Sequence, residues 1–122
     1  MSKTILYVDD STTLQMSMKS MLSVQDYQVE IAGDGIEALD KLKGGLKPDL
    51  IITDINMPRM DGYEVIRNLR KNPAHKSTPI LVLTTESEAE KKNLAREAGA
   101  TGWMVKPFDP ERLVATVRKV AP

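Results

Sequence analysis

The amino-acid sequence predicts an α/β fold, a single open sheet of five parallel strands with helices on both faces. Three observations predict it. Short apolar runs alternate five times with segments of helical periodicity. Leu50–Thr53 (LIIT) and residues 80–83 (ILVL) are apolar almost throughout, as strands covered on both faces are. The 122 residues suffice for one domain, 1–122, with a real core and leave no room for a second.

Thr4–Val8 (TILYV) reads as the first strand, ended by Asp9 and Asp10, and Ser11, Thr12 and Thr13 then offer helix N-caps. Leu14, Met18, Met21 and Leu22 recur at helical spacing as far as Val24, and the seven methionines are read as adaptable core filler. Residues 27–32 alternate apolar and polar like an edge strand. Gly33, Asp34 and Gly35 form a turn into a helix carrying Ile36, Ala38, Leu39 and Leu42, which Gly44 and Gly45 stop. Pro48 and Asp49 lead into the third strand, which finishes on Asp54. Asp61 caps a helix carrying Val65, Ile66 and Leu69, and Asn72 and Pro73 break it. The fourth strand runs to Thr84 and Thr85. Residues 87–98 form a mostly polar, shallowly packed helix whose apolar positions are chiefly Ala89, Leu94, Ala95 and Ala98. Gly102–Val105 is a short fifth strand, and Asp109 or Pro110 opens a last helix with Leu113, Val114, Val117 and Val120 inward.

Parallel neighbours need crossover connections, and these are right-handed, so the helices spread over both faces. Five such units in an open sheet commonly take the flavodoxin-like order 2-1-3-4-5. That order sets the carboxyl ends of strands one and three side by side at a switch point, where ligands bind. Asp9 and Asp10 end the first strand, Asp54 the third, Thr84 the fourth and Lys106 the fifth, so polar groups from four strands converge on one rim.

Composition narrows the chemistry. Without cysteine there is neither a disulfide framework nor a thiolate metal site, and the 17 basic and 17 acidic residues cancel, so no global field draws nucleic acid or anionic lipid. The apolar run at the N-terminus is too short for a signal sequence or a membrane span, and a cytoplasmic protein is expected. There is no long amphipathic extension to demand a dimer, and a monomer is expected.

Three carboxylates a few ångströms apart repel by about 4 kcal/mol per pair at an effective dielectric of about 20, so a cation must compensate. Oxygen donors alone select Mg²⁺, Mn²⁺ or Ca²⁺, and few carboxylates with room for water and phosphate favour Mg²⁺. A plainer reading of Asp9 and Asp10 is capping and dipole complementation at the following helix. Asp54, at the end of an apolar strand, has no capping role to play. Lys106 at a buried rim must face a negative partner. Thr84 alone reads equally well as a turn residue. His75 falls in a polar loop and reads as an exposed, solvated side chain. Met57, Pro58 and Gly62 read as loop-shaping residues.

VDDS at 8–11, DINMPRMDG at 54–62, LTTES at 83–87 and KPF at 106–108 stand in an order and spacing that resembles the receiver domains of two-component response regulators, over the whole chain. The resemblance implies a CheY-like fold in which Asp54 takes a phosphoryl group from a sensor histidine kinase and forms an acyl phosphate. It implies that Asp10, Asp54 and the Asn56 carbonyl ligate Mg²⁺, that Asp9 holds a coordinated water, and that Lys106 neutralises phosphoryl oxygens beside the metal. A cis peptide between Lys106 and Pro107 is expected on the same ground. Thr84 would hydrogen-bond the phosphoryl group and draw its loop inward, freeing space for residue 103, where Trp103 replaces the family's usual tyrosine or phenylalanine. Asn56 and Glu86 resemble the chemotaxis branch and would tune how water reaches the acyl phosphate.

The segment ESEAEKKNLAREAGATGWMVKPFDPERL, 86–113, points the same way. A CheA-like kinase, and a protein target on the face of the fourth helix, fifth strand and fifth helix, such as a flagellar motor switch, are then the expected partners. Since the last helix is followed at once by Pro122, the expectation is a stand-alone switch rather than an enzyme, with a phosphate sink as the alternative. Two other classes fit less well. A haloacid dehalogenase-type phosphatase expects Asp-x-Asp after strand one and a cap domain, and in a flavodoxin-like FMN carrier two aspartates would repel the phosphate.

Overall fold

The computed structural model describes residues 3–121. Its elements follow in the order β1 (Thr4–Val8), α1 (Thr12–Val24), β2 (Gln28–Ala32), α2 (Gly35–Lys43), β3 (Leu50–Thr53), α3 (Gly62–Lys71), β4 (Ile80–Thr84), α4 (Ala89–Ala98), β5 (Gly102–Val105) and α5 (Pro110–Val120). All strand pairs are parallel and the sheet order is β2-β1-β3-β4-β5, the order expected from the sequence.

Alternation along the strands divides the core into two layers. Ile5, Tyr7, Leu50, Ile52, Leu81 and Leu83 face α1 and α5, where Met18, Leu22, Leu113 and Val117 meet them. Leu6, Val8, Ile51, Ile80 and Val82 face α2, α3 and α4, through Ala38, Val65, Ile66, Leu69 and Ala95. The helices start where the capping residues stand: Ser11, Asp34, Asp61 and Asp109 each accept a backbone N–H of the first turn.

The structure corrects four local expectations. His75 is only 5% exposed: Asn72 caps a short 3-10 helix, Pro73–His75, and His75 lines one cavity with Leu39, Leu42 and Leu69. Its loop position, not its polarity, misled the reading. The fourth helix begins at Ala89 rather than at 87, because the backbone of Glu88 is extended, and this N-cap residue makes no side-chain cap. Leu94 is half exposed and Ala95 is the buried position of that helix. Met18 fills core, but Met16 is largely solvent-facing, so methionine content did not mark burial residue by residue. No helix among the described residues is long and apolar enough to cross a membrane.

Candidate functional site

The sheet's own hydrogen bonding carries two aspartates to one rim. Asp9 N–H donates to the Ala32 carbonyl at 3.1 Å, and Asp54 N–H donates to the Val8 carbonyl at 2.9 Å, one step beyond the last paired residues of β1 and β3. Asp9 is 1% exposed and Asp54 8%, whereas Asp10 is exposed. Carboxylate oxygens of Asp9, Asp10 and Asp54 all lie within 4.8 Å of one another.

Lys106 arrives from the end of β5, its backbone N–H bonded to the Thr84 carbonyl at 2.8 Å and its peptide bond to Pro107 cis. Its ammonium donates to Asp9 Oδ2 at 2.6 Å and to Asp54 Oδ2 at 2.9 Å. Burial acts to lower the lysine's pKa, but the hydrogen bonds and charges of Asp9 and Asp54 outweigh it and hold Lys106 above its ordinary value. One ammonium against three carboxylates leaves an excess of negative charge. Asp54 Oδ1 also accepts the Ile55 N–H at 2.6 Å.

Asp9 is pinned from further sides. Ser11 N–H donates to its Oδ1 at 3.0 Å and the Tyr7 hydroxyl donates to its Oδ2 at 2.7 Å, while Gln15 Nε2 donates to its backbone carbonyl at 2.6 Å. Burial, then the bond to Asp9, pushes the Tyr7 phenol well above its usual range, so it stands as a neutral donor. The capping reading does not hold for Asp10, since the Ser11 side chain, accepting Leu14 N–H at 3.3 Å, is the cap of α1.

The loops above the carboxylates are tied across the mouth. Asn56 Nδ2 donates to Glu86 Oε1 at 2.9 Å, and Lys91 reaches the same carboxylate at 3.0 Å. The Asn56 bond first, and Lys91 second, hold the Glu86 carboxyl below its usual range. Thr84 is fully buried, and its hydroxyl oxygen accepts the Glu86 N–H at 3.3 Å within its own turn. Trp103 pairs with Val82 across the sheet, packs on the α3 and α4 side, and its indole N–H is buried without a hydrogen-bond partner among the described residues.

Beneath Asp54 the β3–α3 loop folds back tightly. Gly62 N–H bonds the Ile55 carbonyl at 2.9 Å, and a Cβ at Gly62 would overlap the Asp54 carbonyl oxygen, so the loop-shaping role expected of this glycine has a steric cause. Arg59, at φ +67°, forks onto Asp34 through Nε to Oδ2 at 2.8 Å and Nη2 to Oδ1 at 2.9 Å, fastening the loop to the start of α2.

Tyr7, Gln15, Arg59 and Lys91 were not singled out from the sequence. Only Tyr7 left a signal there: two positions before Asp9 on one strand, it shares that residue's face. The donor set is made of oxygens alone and carries surplus negative charge, which fits a hard divalent cation such as Mg²⁺.

Comparison with known proteins agrees with this geometry. Residues 5–118 match the family model described as response regulator receiver domain. The chain is 42% identical over 118 residues to the response regulator MprA of Mycobacterium bovis, covering 97% of this chain and 50% of that protein. It thus spans about half the length of the curated relatives it matches. Among solved structures, chemotaxis protein CheY4 of Vibrio cholerae shares 44% identity with a TM-score of 0.93, over 98% of this chain and 99% of that one. The receiver domain of sensor histidine kinase PA1611 from Pseudomonas aeruginosa, described with a magnesium ion coordinated in its active-site cleft, shares 26% identity with a TM-score of 0.90, over 99% and 98% of the two chains.

Proposed function

The chain belongs to the family of response regulator receiver domains, and on that premise we propose that Asp54 accepts a phosphoryl group from a phosphohistidine of a sensor histidine kinase. A carboxylate oxygen of Asp54 attacks phosphorus, the phosphorus–nitrogen bond breaks, and the released imidazole takes up a proton from solvent. The observation that carries this reading is the convergence of Asp9, Asp10 and Asp54 on one rim with Lys106 bridging the two buried carboxylates.

Asp10, Asp54 and the Asn56 carbonyl would hold Mg²⁺ directly and Asp9 through a water. When bound, the metal supplies positive charge to phosphoryl oxygens, the main requirement of a transfer whose catalysis is mostly positioning and electrostatics. The magnesium described for the Pseudomonas receiver supports this assignment. Lys106 is poised to move its ammonium from the carboxylates to a phosphoryl oxygen, and Thr84 to exchange its turn contact for another. The Asn56–Glu86 bond ties the loop after β3 to the loop after β4, and the pair would set the acyl phosphate's lifetime by tuning how water reaches it.

The output would be a change of the α4-β5-α5 surface, transmitted through Thr84 and Trp103 to a protein target, with no substrate turned over. The 44% identity to the Vibrio cholerae chemotaxis protein supports a chemotaxis regulator, which as a stand-alone switch would work in the cytoplasm and be fed by a CheA-like kinase. The half-length match to MprA favours a second reading, the same receiver unit governing a fused output segment. The mass of the protein isolated from its own cells separates the two.

The primary test is chemical. With Mg²⁺ and acetyl phosphate the protein should gain one phosphoryl group, released by hydroxylamine and absent from Asp54→Asn. Stable labelling of that variant, or label retained after hydroxylamine, would contradict the assignment.

A further inference from the structure

Tyr7 is the largest fully buried side chain of the core, and its ring belongs to the layer under α1 and α5. Phenylalanine would fill that volume without bringing a polar atom inside. A buried hydroxyl costs stability unless it finds a partner, and this one finds a carboxylate rather than a backbone carbonyl. The bond runs from Tyr7 on β1 to the position just past its end, where the Asp9 N–H still holds the Ala32 carbonyl, so both side chains stand on one face. It ends on the oxygen, Asp9 Oδ2, that Lys106 also holds.

We propose that Tyr7 is a positioning residue of the cation site, its hydroxyl fixing the Asp9 carboxylate so that Asp9 keeps its aim after Lys106 leaves it for a phosphoryl oxygen. The inference rests on the proposed phosphoryl-accepting reading. Among the described residues Asp9 has three donors around its carboxylate, Tyr7, Ser11 and Lys106. Of these Lys106 is the one the transfer would call away, and Ser11 binds the other oxygen. Only Tyr7 then remains on Oδ2. Groups that orient direct metal ligands change metal affinity by about 10- to 100-fold when removed, and because Asp9 would hold the cation through a water, the effect of Tyr7 is expected at the low end of that range.

The test is the Mg²⁺ dissociation constant, measured by calorimetry on the wild type, Tyr7→Phe, Asp9→Ala and the double variant, beside each protein's metal-free unfolding midpoint. Tyr7→Phe should weaken Mg²⁺ binding by about tenfold. In the Asp9→Ala background the same change should have no further effect, because the hydroxyl acts through that carboxylate. A Tyr7→Phe affinity within about twofold of wild type would overturn the proposal, whatever happens to the midpoint; a merely structural tyrosine moves the midpoint alone. An equal loss in both backgrounds would overturn it too. If Asp9→Ala does not fold, the comparison of Tyr7→Phe with wild type still decides. Failure of the wild type itself to bind Mg²⁺ would bring down the phosphoryl-accepting reading together with this one. With a wild type that binds Mg²⁺ and is labelled on Asp54, an unchanged Tyr7→Phe affinity overturns the role of Tyr7 alone.

Discussion

Lys106 Nζ stands 2.6 Å from Asp9 Oδ2, although 97 positions separate the two residues in the chain. The same ammonium lies 2.9 Å from Asp54 Oδ2, so one lysine bridges both buried carboxylates. Their repulsion is thereby offset before any metal arrives, and the site holds together as part of the folded state.

Lys106→Met should remove that offset while keeping most of the side-chain volume. The metal-free protein is expected to lose about 3 kcal/mol, as when one partner of a buried ion pair is deleted. Urea unfolding in the presence of a chelator measures it. A loss no larger than that of an exposed lysine elsewhere would mean the bridge contributes nothing.

Asp10 behaves in the opposite sense. It is exposed and adds negative charge to the rim without capping α1. Asp10→Ala should therefore raise metal-free stability, by up to about 1 kcal/mol. It should also abolish the stabilisation by Mg²⁺, which in the wild type is about 2.7 kcal/mol at a hundredfold excess over the dissociation constant. Thermal unfolding with and without Mg²⁺ checks both halves, and a lower metal-free midpoint in Asp10→Ala would restore the structural role.

Alkaline pH should expose the same pair. Burial opposes the charge on Lys106, but Asp9 and Asp54 prevail, so its folded pKa lies above the unfolded one. Such a group stabilises the fold in full below the unfolded value and ceases to do so as pH rises through the folded value. Tyr7, also raised, has the same sign. Unfolding free energy is expected to fall above about pH 10, where lysine and tyrosine of the unfolded chain begin to lose their protons. Lys106→Met should show a shallower fall, and identical slopes would argue against the coupling.

Arg70 joins three segments far from the rim. Its Nε donates to the Gly99 carbonyl at 3.0 Å, and its Nη1 to those of His75, Lys76 and Thr78 at 2.9, 3.2 and 2.7 Å. Arg70→Met should cost about 2 kcal/mol in chemical denaturation, within the range for hydrogen bonds to a charged donor. Arg70→Lys should recover little of it, since a single ammonium cannot span the fork. Full rescue by lysine would show that charge rather than geometry matters there.

The strands and most helix boundaries were legible because their signals are local. Two apolar runs marked β3 and β4, and Ser11, Asp61 and Asp109 announced the starts of their helices a residue or two ahead. Where the local signal was weak the reading slipped. Residues 87 and 88 looked helical because no proline or glycine interrupts the chain there, and His75 looked solvated because its neighbours were polar. The candidate site was legible in part, as carboxylates and a lysine at strand ends. The resemblance to a family supplied their roles.

By itself the sequence determined the alternation of elements, the residues at the strand ends and the absence of thiolate ligands, since side-chain periodicity and composition act within a few residues of chain. Only the tertiary structure decided that Asp9 is sealed from solvent while Asp10 is not, that Lys106 joins Asp9 to Asp54, and that a core tyrosine bonds a site carboxylate. These depend on how far each side chain reaches once parallel strands have been brought into register, a distance that no linear pattern of residues encodes.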